Sequence, residues 1–344
     1  MPCPHIRNLV TALGEHKPTM KNLGLFVIGI VALCALSEAV ILVQVHPDPV
    51  RLGAILLSLG LILCAFVGLA QQSLVRYLRQ RAVESVWAAA SFPLVLLIPY
   101  LVYAIGTRTF SFLGAGKLLA YILVPTLVLL PDRLHRPPII GWRDVVAMLA
   151  LALPVAANWL TGIWTWPFDL YLFRPLFCVC VGVYAFAVVR NLEGVGYRLL
   201  WRKQDAVDGV ANFLAFCVFG IPLGLLLHFI HPHFSSASFG QFPLQFFAIY
   251  ITIAIPEELL FRGILQNLLC HSIQRGPRGL YGLLIASVIF GLSHLHHAPV
   301  PNWRYAIMAT VAGIFYGYTF RNRQRTSASA LTHALVDTAW HFWF

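Results

Sequence analysis

Glu257, Glu258 and Arg262 place three formal charges within six residues, inside a run from Phe242 to Leu269 that is otherwise almost wholly apolar. At the centre of a membrane a Glu or Arg costs roughly 2.5–3.5 kcal/mol on insertion-derived scales. Three of them unpaired would cost on the order of 8–10 kcal/mol, comparable to the stability of a whole domain. Pairing relieves part of this. Glu258 and Arg262 stand four apart on one helical face with the glutamate first, the favourable order for an ion pair. That pair reads equally as a structural brace and as part of a site. Glu257 projects about 100° away from it, and its own i+4 neighbour is Phe261. Without a local partner, a desolvated carboxylate is suited to general-base work, and for Glu257 the functional reading outweighs the structural one.

Two further polar sets follow. In FGLSH, His294 sits one turn beyond Phe290 on the same face. Alone it would be an ordinary core or interface histidine, the reading that also suits His296 and His297. With a carboxylate on the preceding helix, its imidazole could hydrogen-bond a water held by Glu257 or bind a metal beside it. In HALVD, His333 and Asp337 are again spaced i, i+4. The aspartate would orient the ring, or the two would be a self-satisfied pair gluing helices together, worth about 1–2 kcal/mol. GIFYG, Gly313 to Gly317, allows close helix approach and is a weak signal by itself. His228, His231 and His233 in HFIHPH have the look of a metal cluster, but their place at the end of a span favours an interfacial patch.

The elements that must position these residues are membrane helices. Apolar residues make up 59% of the 344 and charged residues 11%, with a mean hydropathy of +0.77; soluble domains run at about 45–50% and about 25%. Runs of roughly 20 apolar residues lie near 23–45, 52–70, 85–106, 111–130, 144–164, 167–189, 209–230, 242–270, 279–296, 304–320 and 328–344. The fold expected is all-α and polytopic, with about eleven transmembrane helices. With the N-terminus in the cytoplasm, eighteen of the 24 Lys and Arg residues fall on the cytoplasmic side and five on the other, as the positive-inside rule requires. The net charge of +11 thus reports topology and contact with lipid headgroups, and nucleic acid is excluded as a partner. Residues 1–22 read as a basic cytoplasmic tail before an uncleaved anchor, 23–208 as N-terminal helices of unknown role, and 209–344 as the part that holds the chemistry. The stretch 190–208, rich in Arg with Leu, Trp and Tyr, is expected to form a short helix along the cytoplasmic headgroups. Seven cysteines without metal-type spacing read as packing residues.

The order EELLFR, FGLSH, HALVD resembles the CPBP family of intramembrane proteases, which takes in the type II CAAX prenyl endopeptidases and the Abi proteins. Its pattern is EExxxR, FxxxH and HxxxN, each on a separate transmembrane helix. Glu257, Glu258 and Arg262 match the first motif, Phe290 and His294 the second and His333 the third; Asp337 departs from the more usual Asn. The resemblance covers roughly 240–344. It implies hydrolysis of a peptide bond in or beside the membrane, with Glu257 and His294 activating water. Glu258 and Arg262 would brace the base, while His333 and position 337 would stabilise the oxyanion. A divalent metal such as zinc held by Glu257, His294 and His333, or a metal-free glutamate mechanism, both fit.

The implied substrate is a membrane-associated peptide near the cytoplasmic leaflet or a membrane-anchored precursor, handled in the cell (inner) membrane. A non-catalytic membrane scaffold or bacteriocin-immunity factor, and a proton-coupled transporter, are the alternatives. One geometric problem stands out. Counted from the cytoplasmic ends of their spans, His294 lies about fifteen residues up and His333 about five, a depth difference of roughly 15 Å.

Overall fold

The computed structural model describes residues 20–134, 139–233, 238–273 and 278–344. The predicted basic tail lies outside the described residues up to position 19, as do Arg136 and Arg275. The described residues form helices joined by loops, with no strand among them. In chain order these are α1 Met20–Gln44, α2 Pro49–Leu69, α3 Gln72–Glu84, α4 Val86–Gly106, α5 Phe112–Asp132 and α6 Trp142–Ala156. There follow α7 Phe173–Val189, α8 Lys203–Leu226, α9 Gly240–Ser272, α10 Arg278–Leu292, α11 Trp303–Arg323 and α12 Thr326–Trp343.

A helix occupies the centre of each apolar run, but among the described residues six are long and apolar enough to cross a membrane: α4, α5, α8, α9, α2 and most of α1. Helix α7 and the Gly279–Leu292 part of α10 are shorter apolar helices. The sequence reading missed α3, an amphipathic helix with Val75 and Ala82 buried. One apolar core runs from Ile41 to Ala334 and unites the N-terminal helices with the C-terminal ones.

The expected headgroup helix in 190–208 does not form. Residues 190–202 are non-helical, with Asn191, Leu192, Val195 and Tyr197 buried. Distant side chains satisfy this strap's carbonyls. Arg79 reaches Leu192 (3.3 Å), Asn267 Nδ2 donates to Glu193 (2.7 Å) and Thr326 Oγ1 to Val195 (3.0 Å); Arg325 donates to Leu200. With its backbone groups paired elsewhere, the strap has no need of a helix. Gly196 takes a left-handed φ of 71° there, and a Cβ on it would lie 2.6 Å from the Gln324 carbonyl. The end of the polar stretch is helical instead: α8 starts at Lys203, where the Asp205 carboxylate accepts from Arg202 N at 2.8 Å and caps its first turn.

The strap also settles the depth problem. It fills the end of the bundle where α12 begins, so Thr326 starts level with Gly263, whose Cβ position lies 3.4 Å from Thr326 Oγ1. Helix α9 continues to Ser272, nine residues or about 13 Å further. Helix α12 therefore begins inside the bundle, and His333 rises to the level of the site.

Candidate active site

Pro256 sets the local geometry of α9. A proline within a helix lacks the N–H for its i−4 bond and crowds that carbonyl. Here wide π-helical turns take up the mismatch at Tyr250–Ala254 before it and at Leu259–Gln266 after it, leaving Ile255–Glu258 as one α-helical turn between them. Such widened turns are frequent at functional sites. They hold the adjacent glutamates in mid-bundle.

Glu258 and Arg262 are fully buried and 3.3 Å apart (Oε2 to Nε). None of the three Arg262 nitrogens makes an aligned hydrogen bond; its guanidinium lies 4.7 Å over the ring of Phe290. Glu258 turns its oxygens to α12. Its Oε1 is 3.0 Å from His333 Nδ1, and its Oε2 meets the Ser329 hydroxyl, which also lies 2.9 Å from the Tyr316 carbonyl. The other face of His333 is acidic too: Nε2 lies 3.3 Å from Asp337 Oδ2 and 3.9 Å from Glu257 Oε2. A neutral imidazole can donate to one of these neighbours and the cation to two. Tyr316 stacks on the ring at 4.5 Å and 14° and fixes its plane.

Glu257 is arranged differently. Its side chain is 35% exposed, yet Oε2 is buried and has no hydrogen-bond partner. Together with His294 it lines a cleft of about 440 Å³. His294, just past the end of α10, is buried, and its Nδ1 donates to the Phe290 carbonyl at 2.8 Å, leaving Nε2 with its lone pair. Phe290 is the hub of the group, edge-on to His294 at 4.7 Å and to His333 at 5.8 Å. Arg262, His294 and His333 thus meet at Phe290, and Glu257, Glu258 and Asp337 join them through His333, with only Glu257 and His294 of the six on the cleft wall. At the mouth, burial and then the neighbouring His296 lower the pKa of His297, which favours its neutral form near pH 7.

The predicted metal set does not fit an ion as it stands. Both His333 nitrogens face carboxylates, and among the described residues no group of three or more His, Cys, Asp or Glu side chains is arranged to hold one. His228, His231 and His233 are exposed at the end of the bundle opposite the strap, where His233 N donates to the Trp343 carbonyl.

Sequence reasoning missed Ser329 and Tyr316, although both carried a signal. Ser329, His333 and Asp337 repeat every four residues along one helix face, and Tyr316 lies within GIFYG. The glycines of that motif do more than ease packing. A Cβ on Gly317 would fall 2.7 Å from Gln266 Oε1 and 2.9 Å from Leu283, and one on Gly313 would meet Phe290 and Arg262. Bare backbone at these two positions lets α11 press against α9 and α10 beside the site.

Residues 239–339 match the family described as Rce1-like, Type II CAAX prenyl endopeptidase Rce1-like. No curated protein and no solved structure matches the chain. The matched segment holds all six clustered residues, while α1–α8 lie wholly outside it. The motifs and this match fall on the same segment, and together they support its likeness to the CPBP family.

Proposed function

We propose that this protein is an intramembrane endopeptidase that hydrolyses a peptide bond of a membrane-associated substrate with a water activated by Glu257 and His294. The observation that carries the reading is the Glu257 carboxylate: one oxygen is buried, without a hydrogen-bond donor, and on a cleft wall shared with an imidazole. A buried acceptor left unmade costs about 1–3 kcal/mol. Water, or a substrate N–H, supplies the missing donor.

In the step proposed, the water oxygen bonds to the amide carbon as Glu257 takes its proton. The carbon–nitrogen bond then breaks, and that proton passes to the leaving nitrogen, so neither oxidant nor cofactor enters the balance. His294 Nε2 accepts the second water hydrogen and orients the attack. Glu258, braced by Arg262 and Ser329, holds His333 by Nδ1 and keeps its Nε2 between Asp337 and Glu257. His333, with Nε2 3.9 Å from Glu257 Oε2, steadies the charge on the base from behind. Asp337, in place of the family's Asn, acts by orienting and polarising that ring. No step is routed through a metal.

The cleft reaches Asn158, His296 and His297, at the end of the bundle opposite the strap. With the basic loops in the cytoplasm, that mouth faces the other leaflet, so substrate would enter from there and not from the expected cytoplasmic leaflet. The test compares membranes of cells carrying the wild type or Glu257→Gln. An uncut precursor should accumulate with the variant; an unchanged membrane proteome would favour the scaffold reading.

A further inference from the structure

The cleft has two walls from different parts of the chain. Glu257, Leu260, Phe261 and His294 form one; Tyr121, Leu151, Ala152, Val155, Val179 and Gly182, on α5, α6 and α7, form the other. Apart from the tyrosine hydroxyl, which is spent on the Leu151 carbonyl at 3.0 Å, the Cys178 thiol and Asn158 at the mouth, the second wall offers a substrate apolar surface. The family match does not extend to it.

Size and chemistry limit what can lie between the walls. A helix about 10 Å across that rises 1.5 Å per residue takes roughly 120 Å³ per residue, so about 440 Å³ admits about one turn. A spanning helix does not fit, whereas an extended stretch of three or four residues does. An acyl chain would fit by volume but would leave Glu257 Oε2 without a donor in a dried cleft, an unfavourable outcome. A peptide brings N–H groups to the glutamate wall and side chains to the apolar one.

We infer that α5–α7 are the specificity wall of the proposed protease. They receive, in extended form, the apolar side chains beside the scissile bond, and the space left by Ala152, Val155 and Gly182 sets the largest side chain accepted. The inference rests on the proteolytic reading and adds to it which part of the chain selects the substrate.

The test uses the full chain in its own membrane, as wild type, Glu257→Gln, Ala152→Trp and Val155→Trp. New peptide ends and uncut precursors are quantified across the membrane proteome at matched amounts of folded protein. Val155 is 51% exposed, so its replacement disturbs no core packing and covers the case in which Ala152→Trp fails to fold. Glu257→Gln should stop all processing. The two Trp variants should lower cleavage next to large apolar residues by about tenfold or more, the scale on which an apolar pocket discriminates. Cleavage next to Gly or Ala should fall by a clearly smaller factor, so that the preference between the two groups shifts. Equal loss for both groups, no loss for either, or a loss that follows lipid attachment of the precursor overturns the specificity wall while leaving proteolysis standing. No precursor with Glu257→Gln overturns proteolysis, and the wall with it.

Discussion

Two buried Arg–carboxylate pairs in this molecule differ in how completely their bonds are made. Arg190 and Asp144 form a closed set. Arg190 Nε donates to Asp144 Oδ1 at 2.7 Å and Nη2 to Oδ2 at 3.4 Å; Nη2 also reaches the Ile139 carbonyl at 3.2 Å, and Gly141 N donates to Asp144 Oδ2 at 2.9 Å. The pair ties the end of α7 to the start of α6 and does not line the cleft of Glu257. Glu258 and Arg262 are equally buried but open-ended. The guanidinium lacks an aligned donor–acceptor bond, and the carboxylate is shared among Arg262, Ser329 and His333. Burying charge is expensive in both places. At the first it yields an anchored loop; at the second it orients an imidazole beside a glutamate that has no bond of its own. How fully the bonds are satisfied, more than burial, separates the brace from the site.

The contrast can be broken in order of expected effect. Glu257→Gln should lower cleavage by 10²–10⁴-fold, the usual share of a general base, with unfolding in detergent unchanged. Asp144→Ala strands Arg190 and should cost about 3–5 kcal/mol of stability, read by thermal unfolding, while each folded molecule keeps its activity. Arg262→Met should do the reverse. Glu258 retains Ser329 and His333, so the stability loss should be smaller, about 1–3 kcal/mol, while cleavage falls steeply because His333 loses its braced partner. Ser329→Ala should cost about 1 kcal/mol and reduce kcat several-fold with KM unchanged. If Arg262→Met and Asp144→Ala produced the same pattern, the distinction between brace and site would be lost.

Much of this was legible before any coordinates. Apolar runs give the helices because in a membrane the backbone must satisfy itself, and EELLFR announces itself by the cost of charge in lipid. The spacing of FGLSH brings His294 back to Phe290, whose carbonyl its Nδ1 reaches in the turn just past α10. What was not legible depends on partners far away in sequence. Residues 190–202 have the composition of a surface helix, yet Arg79, Asn267 and Thr326 take up their carbonyls, and no local window contains those residues. The depth of His333 follows from where the strap lets α12 begin. Spacing along α9, α10 and α12 likewise cannot tell that His333 is held on both edges by carboxylates. The role of the helices before residue 190 was also hidden, since an apolar wall carries no motif.

The central claim is that the unpartnered carboxylate of Glu257 activates water against a peptide bond. The most direct measurement is the rate at which purified full-length protein cuts the precursor that accumulates in Glu257→Gln membranes, wild type against Glu257→Gln, at equal folded amounts. A rate at least about a hundredfold lower for the variant is predicted. Equal rates would contradict the account, whatever the geometry around Phe290.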